Sequence, residues 1–148
     1  MYADKAKALF EEGYNCAQAV FLAFNDLMDI DEKTAIKISS SFGGGLGRLR
    51  EVCGAVSGGA MALGYLYGYE GSNDDKAKKE HYALIQQFAN DFAKNNGSYI
   101  CKELLGLSKK ENSPDPTKRT DEFYKKRPCS ELVYEAALWV EEYINTHK

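Results

Sequence analysis

Apolar residues recur at three- and four-residue intervals along most of this chain, the spacing of one face of an α-helix. Leu9, Gly13, Cys16, Val20, Phe24 and Leu27 trace such a face, which predicts a first helix over residues 3–27 with Gly13 as its weak or tightly packed point. Asp31 stands as an N-cap before a second helix over 32–39, although Ile36 and Ile38 cannot share one side of it. After a glycine-rich run, Val52, Val56, Gly59, Leu63 and Leu66 fit a helical face within an apolar segment reaching Tyr69. Ala77, Leu84, Phe88 and Phe92 predict an amphipathic helix over 75–94, stopped by Asn95-Asn96-Gly97. Ser98 caps a short helix through Leu104 or Leu105, which Gly106 ends. Leu132, Ala136, Trp139, Val140 and Tyr143 give a last helix over 129–145. No stretch alternates as a strand does. The pattern predicts one all-α domain over residues 1–148, a compact bundle of about five or six helices around a glycine-rich central helix.

Composition narrows the partners. No proline precedes Pro114, and 19 basic against 22 acidic residues leave a net charge of −3 at pH 7. That balance speaks against a nucleic-acid binder, and it gives no reason for attachment to an acidic membrane surface. The apolar segment over 52–69 is too short and too often interrupted by glycine to span a membrane. Residues 107–128 hold all three prolines with seven basic and four acidic residues, which predicts a surface excursion docking across the helices. The first residues, with Asp4, Lys5, Lys7, Glu11 and Glu12, have no secretory pattern. The expected compartment is therefore the cytoplasm, where thiols stay reduced unless they bind something.

The chain has four cysteines, Cys16, Cys53, Cys101 and Cys129, separated by 37, 48 and 28 residues. None forms Cys-x-x-Cys, so the short paired spacings of common zinc and ferredoxin sites are absent. Their predicted positions carry more. Cys53 opens the apolar helix, Cys101 follows the Ser98 cap by three residues, and Cys129 follows Pro128 at the start of the last helix. Unpaired backbone N–H groups and the helix field stabilise a thiolate at such places. Cys16 is expected mid-helix on the apolar stripe, where a small buried core residue is the plainer reading.

Other features are weaker. Gly43-Gly44-Gly45-Leu46-Gly47 lacks both the Gly-Lys-Ser/Thr ending of a phosphate loop and a preceding strand, so it reads as irregular backbone using positive φ. Arg48 and Arg50 read plainly as solvent-exposed, with positive potential near Cys53 as the alternative. Ser57 is outside a serine-hydrolase elbow, and His81 and His147 have no close partner that marks a ligand. Glu11-Glu12, Asp74-Asp75 and Glu141-Glu142 are solvated surface, because adjacent helical residues do not share a face. Tyr65, Tyr67 and Tyr69 support packing or a partner surface.

The string Cys53-Gly54-Ala55-Val56-Ser57-Gly58 lies downstream of Gly13-Tyr14-Asn15-Cys16-Ala17-Gln18-Ala19-Val20 and Phe42-Gly43-Gly44-Gly45-Leu46-Gly47, with Cys101 and Cys129 beyond it. In this ordered combination the chain resembles the C_GCAxxG_C_C family of four-cysteine proteins, to which redox activity is attributed. That family is in turn similar to the iron–sulfur-bearing part of split-Soret cytochromes c. The resemblance implies a two-iron, two-sulfide cluster on Cys16, Cys53, Cys101 and Cys129, serving one-electron transfer or redox sensing with a redox protein as partner. Haem attachment is not expected, because Cys-x-x-Cys-His is absent. Gly54 and Gly58 would let backbone approach sulfur closely. Two other readings stay open. One is thiol–disulfide exchange or oxidant sensing without a cluster, with Cys53 attacking and Cys129 or Cys101 resolving. The other is a structural zinc site. A homodimer through close helix contact at Gly58, Gly64 and Gly68 is a further expectation.

Overall fold

The computed structural model describes residues 1–107 and 113–147. Its α-helices are α1 (Tyr2–Glu11), α2 (Cys16–Ala23), α3 (Glu32–Ser39), α4 (Gly54–Tyr67), α5 (Asp75–Asn96), α6 (Cys101–Leu104), α7 (Asp121–Lys126) and α8 (Cys129–Thr146). Single 3₁₀ turns occupy Asn25–Leu27 and Ser40–Phe42. The described residues contain no strand, only an isolated antiparallel bridge between Val52 and Ile100. The all-α expectation is met, with eight α-helices among the described residues rather than five or six.

Two local causes account for the difference. The first predicted helix is broken, because Gly13 adopts φ +119°, a conformation that L side chains rarely take. Asn15 then starts a new helix with a capping box: the Gln18 N–H donates to Asn15 Oδ1 at 2.9 Å, and the Asn15 N–H to Gln18 Oε1 at 3.0 Å. The second cause is α7, which lies inside the predicted surface excursion and is capped by the Thr120 hydroxyl accepting from the Phe123 N–H. The remainder of that excursion from 108 to 112 lies outside the described residues.

The helices share one core rather than surrounding a single glycine-rich centre. Phe10 of α1, Val20 of α2, Leu63 of α4, Phe88 of α5 and Val133 and Val140 of α8 are all fully buried in it. Helices α1 and α8 run antiparallel, fixed at one end by the Tyr2 and Ala3 N–H groups donating to Glu141 Oε1 and at the other by a 2.8 Å Lys7–Glu131 ion pair. Helix α4 lies against α2 so closely that a Cβ at Gly58 would stand 2.5 Å from the Ala17 carbonyl oxygen. Gly58 thus serves packing within the chain and is not left over for a contact between copies. No described helix is long and apolar enough to cross a membrane.

Candidate functional site

All four cysteines begin a helix, and the fold converges those beginnings on one end of the bundle. Cys16, Cys101 and Cys129 are the first residues of α2, α6 and α8, and Cys53 is the N-cap of α4. The placement of Cys16 corrects the mid-helix expectation: the break at Gly13 moves it from the interior of a long helix to a first turn. Because α1 and α8 are antiparallel, the end of α1 lies beside the start of α8. The short turn through Gly13 therefore delivers Cys16 to Cys129.

Cys53 and Cys101 are joined differently. The Val52–Ile100 bridge is flanked by the Cys53 N–H donating to the Tyr99 carbonyl at 2.8 Å and the Cys101 N–H donating to the Glu51 carbonyl at 2.6 Å. This short pairing spans 48 residues of sequence and ties together the segments that carry the two cysteines, Cys53 opposite Tyr99 and Cys101 opposite Glu51. Gly54 then brings α4 onto α2, where a Cβ would lie 3.1 Å from Cys16 Cβ. Gly54 and Gly58 do allow a close approach, but it is to the first turn of α2, at the Ala17 backbone and Cys16 Cβ, rather than to a sulfur as expected.

The thiols divide by environment. All four are free, with Cys53 and Cys101 buried and Cys16 and Cys129 partly exposed. Cys16 donates a hydrogen bond to the Cys129 sulfur, and this bond raises the Cys16 pKa well above the ordinary thiol value, with burial adding to the effect. The same bond lowers Cys129 to about 7; burial opposes it, and Arg127, Arg50 and Arg119 assist. Burial pushes Cys53 up to about 12, although the N–H groups of Ala55 and Val56 favour its thiolate. Burial also raises Cys101, against a hydrogen bond from Arg50 Nη1 to its sulfur at 3.6 Å. The low-pKa thiol is therefore Cys129. Cys53, the expected attacking residue of a cluster-free reaction, is instead raised by desolvation that its N-cap position does not overcome.

Arg50 owes its place to an uncommon backbone. Gly44, Gly45, Leu46, Gly47 and Arg48 all have φ between +55° and +75°, and Arg50 follows at +63°. The run is a left-handed turn, closed by the Arg50 N–H on the Gly44 carbonyl at 3.1 Å and the Glu51 N–H on the Gly45 carbonyl at 2.9 Å. Glycines reduce its cost, but each of the three side-chain-bearing residues still costs about 1–2 kcal/mol. The turn seats Arg50 at 4% exposure against Cys101, so the exposed reading of that residue is wrong. A Cβ at Gly45 would stand 2.8 Å from Cys101 Cβ, which is why the turn needs glycine there.

Cys16 and Cys129 open into a cavity of about 700 Å³ lined by Arg48, Arg50, Arg119 and Arg127, with Phe10 and Phe123 among its apolar walls. Arg119 and Arg127 had no distinguishing sequence signal beyond the positive charge of their segment. Arg119 donates to the carbonyls of Phe10 and Tyr14 and lies 4.1 Å over the Phe10 ring, which docks the excursion on the end of α1. His81 and His147 lie elsewhere; His147 stacks on Tyr143 at 3.8 Å. The tyrosines do support packing, with Tyr67 edge-on to Tyr143 and the Tyr65 hydroxyl accepting from the Asp29 N–H.

Each of the four sulfurs is within electrostatic reach of others in the set, and thiolate is the donor an iron–sulfur cluster would take. A single-metal cage is another matter. Among the described residues, no three His, Cys, Asp or Glu side chains are grouped so as to hold one metal ion. The arrangement therefore shows neither a structural zinc nor an iron–sulfur cluster.

Residues 14–143 match a family model described as "Putative redox-active protein (C_GCAxxG_C_C)". Neither the curated proteins nor the solved structures yield a match, so the further likeness to split-Soret cytochromes c has no support there.

Proposed function

This chain belongs to the C_GCAxxG_C_C family, and from that premise we propose that its four cysteines form one redox site for one-electron transfer or redox sensing. A two-iron, two-sulfide cluster held by Cys16, Cys53, Cys101 and Cys129 would supply the one-electron chemistry when bound. The observation that carries this reading is the convergence of four helix beginnings, each bearing one cysteine, on one end of the bundle. Helix N-termini, the N–H groups of Ala55 and Val56 and the Arg50 guanidinium would all stabilise thiolates there. The surrounding core would limit water around Cys53 and Cys101. The reading also includes a redox protein as electron partner, a reducing compartment such as the cytoplasm and, as an accessory expectation, a homodimer. Anaerobic reconstitution of the full chain tests it. About two irons and two acid-labile sulfides per chain, with visible absorption that bleaches on reduction, are expected. A folded, fully reduced chain that takes up neither iron nor sulfide overturns it.

The hydrogen bond between Cys16 and Cys129 favours a second reading, thiol–disulfide exchange at that pair. Cys129 thiolate attacks a disulfide substrate and displaces one thiolate. Cys16, losing its proton, then attacks the mixed disulfide and displaces the second. The protein gains one disulfide, and the substrate leaves as two thiols after protonation. Under this reading the oxidised, iron-free chain carries a Cys16–Cys129 disulfide and retains two alkylatable thiols at Cys53 and Cys101.

A further inference from the structure

The wall of the cavity beside Cys16 and Cys129 holds more chemistry than the two thiols require. Its volume, about 700 Å³, falls within the range of about 300–1000 Å³ typical of sites for small organic molecules. Among the described residues four arginines line it and no Asp or Glu does. The arginines divide by orientation. Arg50 is buried and turned onto Cys101, whereas Arg48, Arg119 and Arg127 line the more open part with Phe10 and Phe123.

Those three side chains are held in place. Arg48 donates to the Ser113 carbonyl at 2.7 Å and to Thr117 Oγ1 at 3.0 Å. Arg119 is anchored by the Phe10 and Tyr14 carbonyls and stacks on Phe10, and Arg127 lies 5.7 Å over the Phe123 ring. Carbonyls and ring faces orient Arg119 and Arg127 without neutralising them. Such a cradle is largely preorganised, so an anion entering it need not immobilise long flexible side chains. Phe123, which is partly exposed, supplies an apolar wall.

We propose that this cavity binds a small organic anion, its apolar body against the partly exposed Phe123 and its oxyanion, carboxylate or phosphate, held by Arg48, Arg119 and Arg127 beside Cys16 and Cys129. The anion is the substrate or regulator of the cysteine site; that role rests on the redox reading above, whereas the binding does not.

Calorimetry on the reduced, iron-free full chain tests it, with phenyl phosphate and benzoate as probes and benzyl alcohol as the neutral control. Saturable binding of phenyl phosphate, benzoate or both is expected, and their ranking tells phosphate from carboxylate. Arg127→Gln and Arg48→Gln, each with an unchanged circular dichroism spectrum, should weaken binding about tenfold or more, the loss of one charge-assisted contact. Two measurements need no variant: binding should weaken as ionic strength rises, and bound anion should slow carbamidomethylation of Cys129. Absence of saturable binding to the folded chain overturns the proposal. So do equal affinity for benzyl alcohol, failure to shield Cys129, or folded variants that bind as the parent does. Iron and sulfide uptake measured on the same preparation keeps the two readings apart: anion binding without iron removes only the cluster, and iron without anion binding removes only this cradle.

Discussion

Cys16 and Cys129 meet because two antiparallel helices and a glycine turn bring their ends together; Cys53 and Cys101 meet because a single backbone bridge ties two loops. The first pair is partly exposed, faces the arginine-lined cavity and is linked by a hydrogen bond that raises Cys16 and lowers Cys129. The second is buried, raised in pKa by desolvation, and touched by one equally buried arginine. The contrast teaches that position at a helix beginning does not by itself set a thiol's reactivity. All four cysteines share that position, yet burial outweighs the N–H groups at Cys53, while a sulfur–sulfur hydrogen bond and nearby guanidinium groups prevail at Cys129.

The largest expected effect is therefore in thiol reactivity. At pH 8 roughly nine-tenths of a thiol with pKa about 7 is ionised, against roughly one part in ten thousand at about 12. After allowance for the lower intrinsic nucleophilicity of the more acidic thiol, Cys129 in the iron-free chain should alkylate about a hundredfold faster than Cys53. Its rate should climb through pH 7 and level off above, because its pKa is lowered, whereas the Cys53 rate should still be rising well above pH 10. Mass-spectrometric footprinting that found equal rates at both cysteines would erase the contrast.

Substitution at the two supports gives smaller effects. Gly45→Val puts a β-branched side chain at φ +75° and against Cys101 Cβ, and should cost about 2–4 kcal/mol in urea unfolding. Local opening should also make Cys101 more readily alkylated while leaving Cys129 fast. Asn15→Ala removes the cap that starts α2 at Cys16 and should cost about 1 kcal/mol. Its footprint should appear at Cys16 and Cys129 first, the reverse order. If either substitution disturbed both pairs equally, the pairs would not be separately supported.

The unequal legibility of these supports has physical causes. Helix α3 announced itself through its Asp31 cap, α5 and α8 through apolar period, and the glycine run at 43–47 through its freedom of φ. The break after α1 was also written in the chain, as Gly13 followed by Asn15-x-x-Gln18, but the apolar stripe continued across it and concealed the capping box. Thr120 followed by Asp121 and Glu122 likewise signalled α7 within a segment whose prolines suggested only loop. Nothing local marked the Val52–Ile100 bridge, since one bridge has no periodicity. Nor did local sequence mark Arg119, whose hydrogen bonds reach back more than a hundred residues. The four cysteines were visible as a set through family resemblance; their pairing two by two is a property of the tertiary fold.

The central claim, that both pairs act as one redox site, is tested most directly by counting electrons. Anaerobic coulometric titration of the reconstituted full chain should give one reversible electron per chain, and that signal should vanish alike in Cys16→Ser, Cys53→Ser, Cys101→Ser and Cys129→Ser chains that remain folded. A two-electron, two-proton couple that survives loss of Cys53 or Cys101 and disappears only with Cys16 or Cys129 would contradict it, leaving the partly exposed pair as the whole of the redox chemistry.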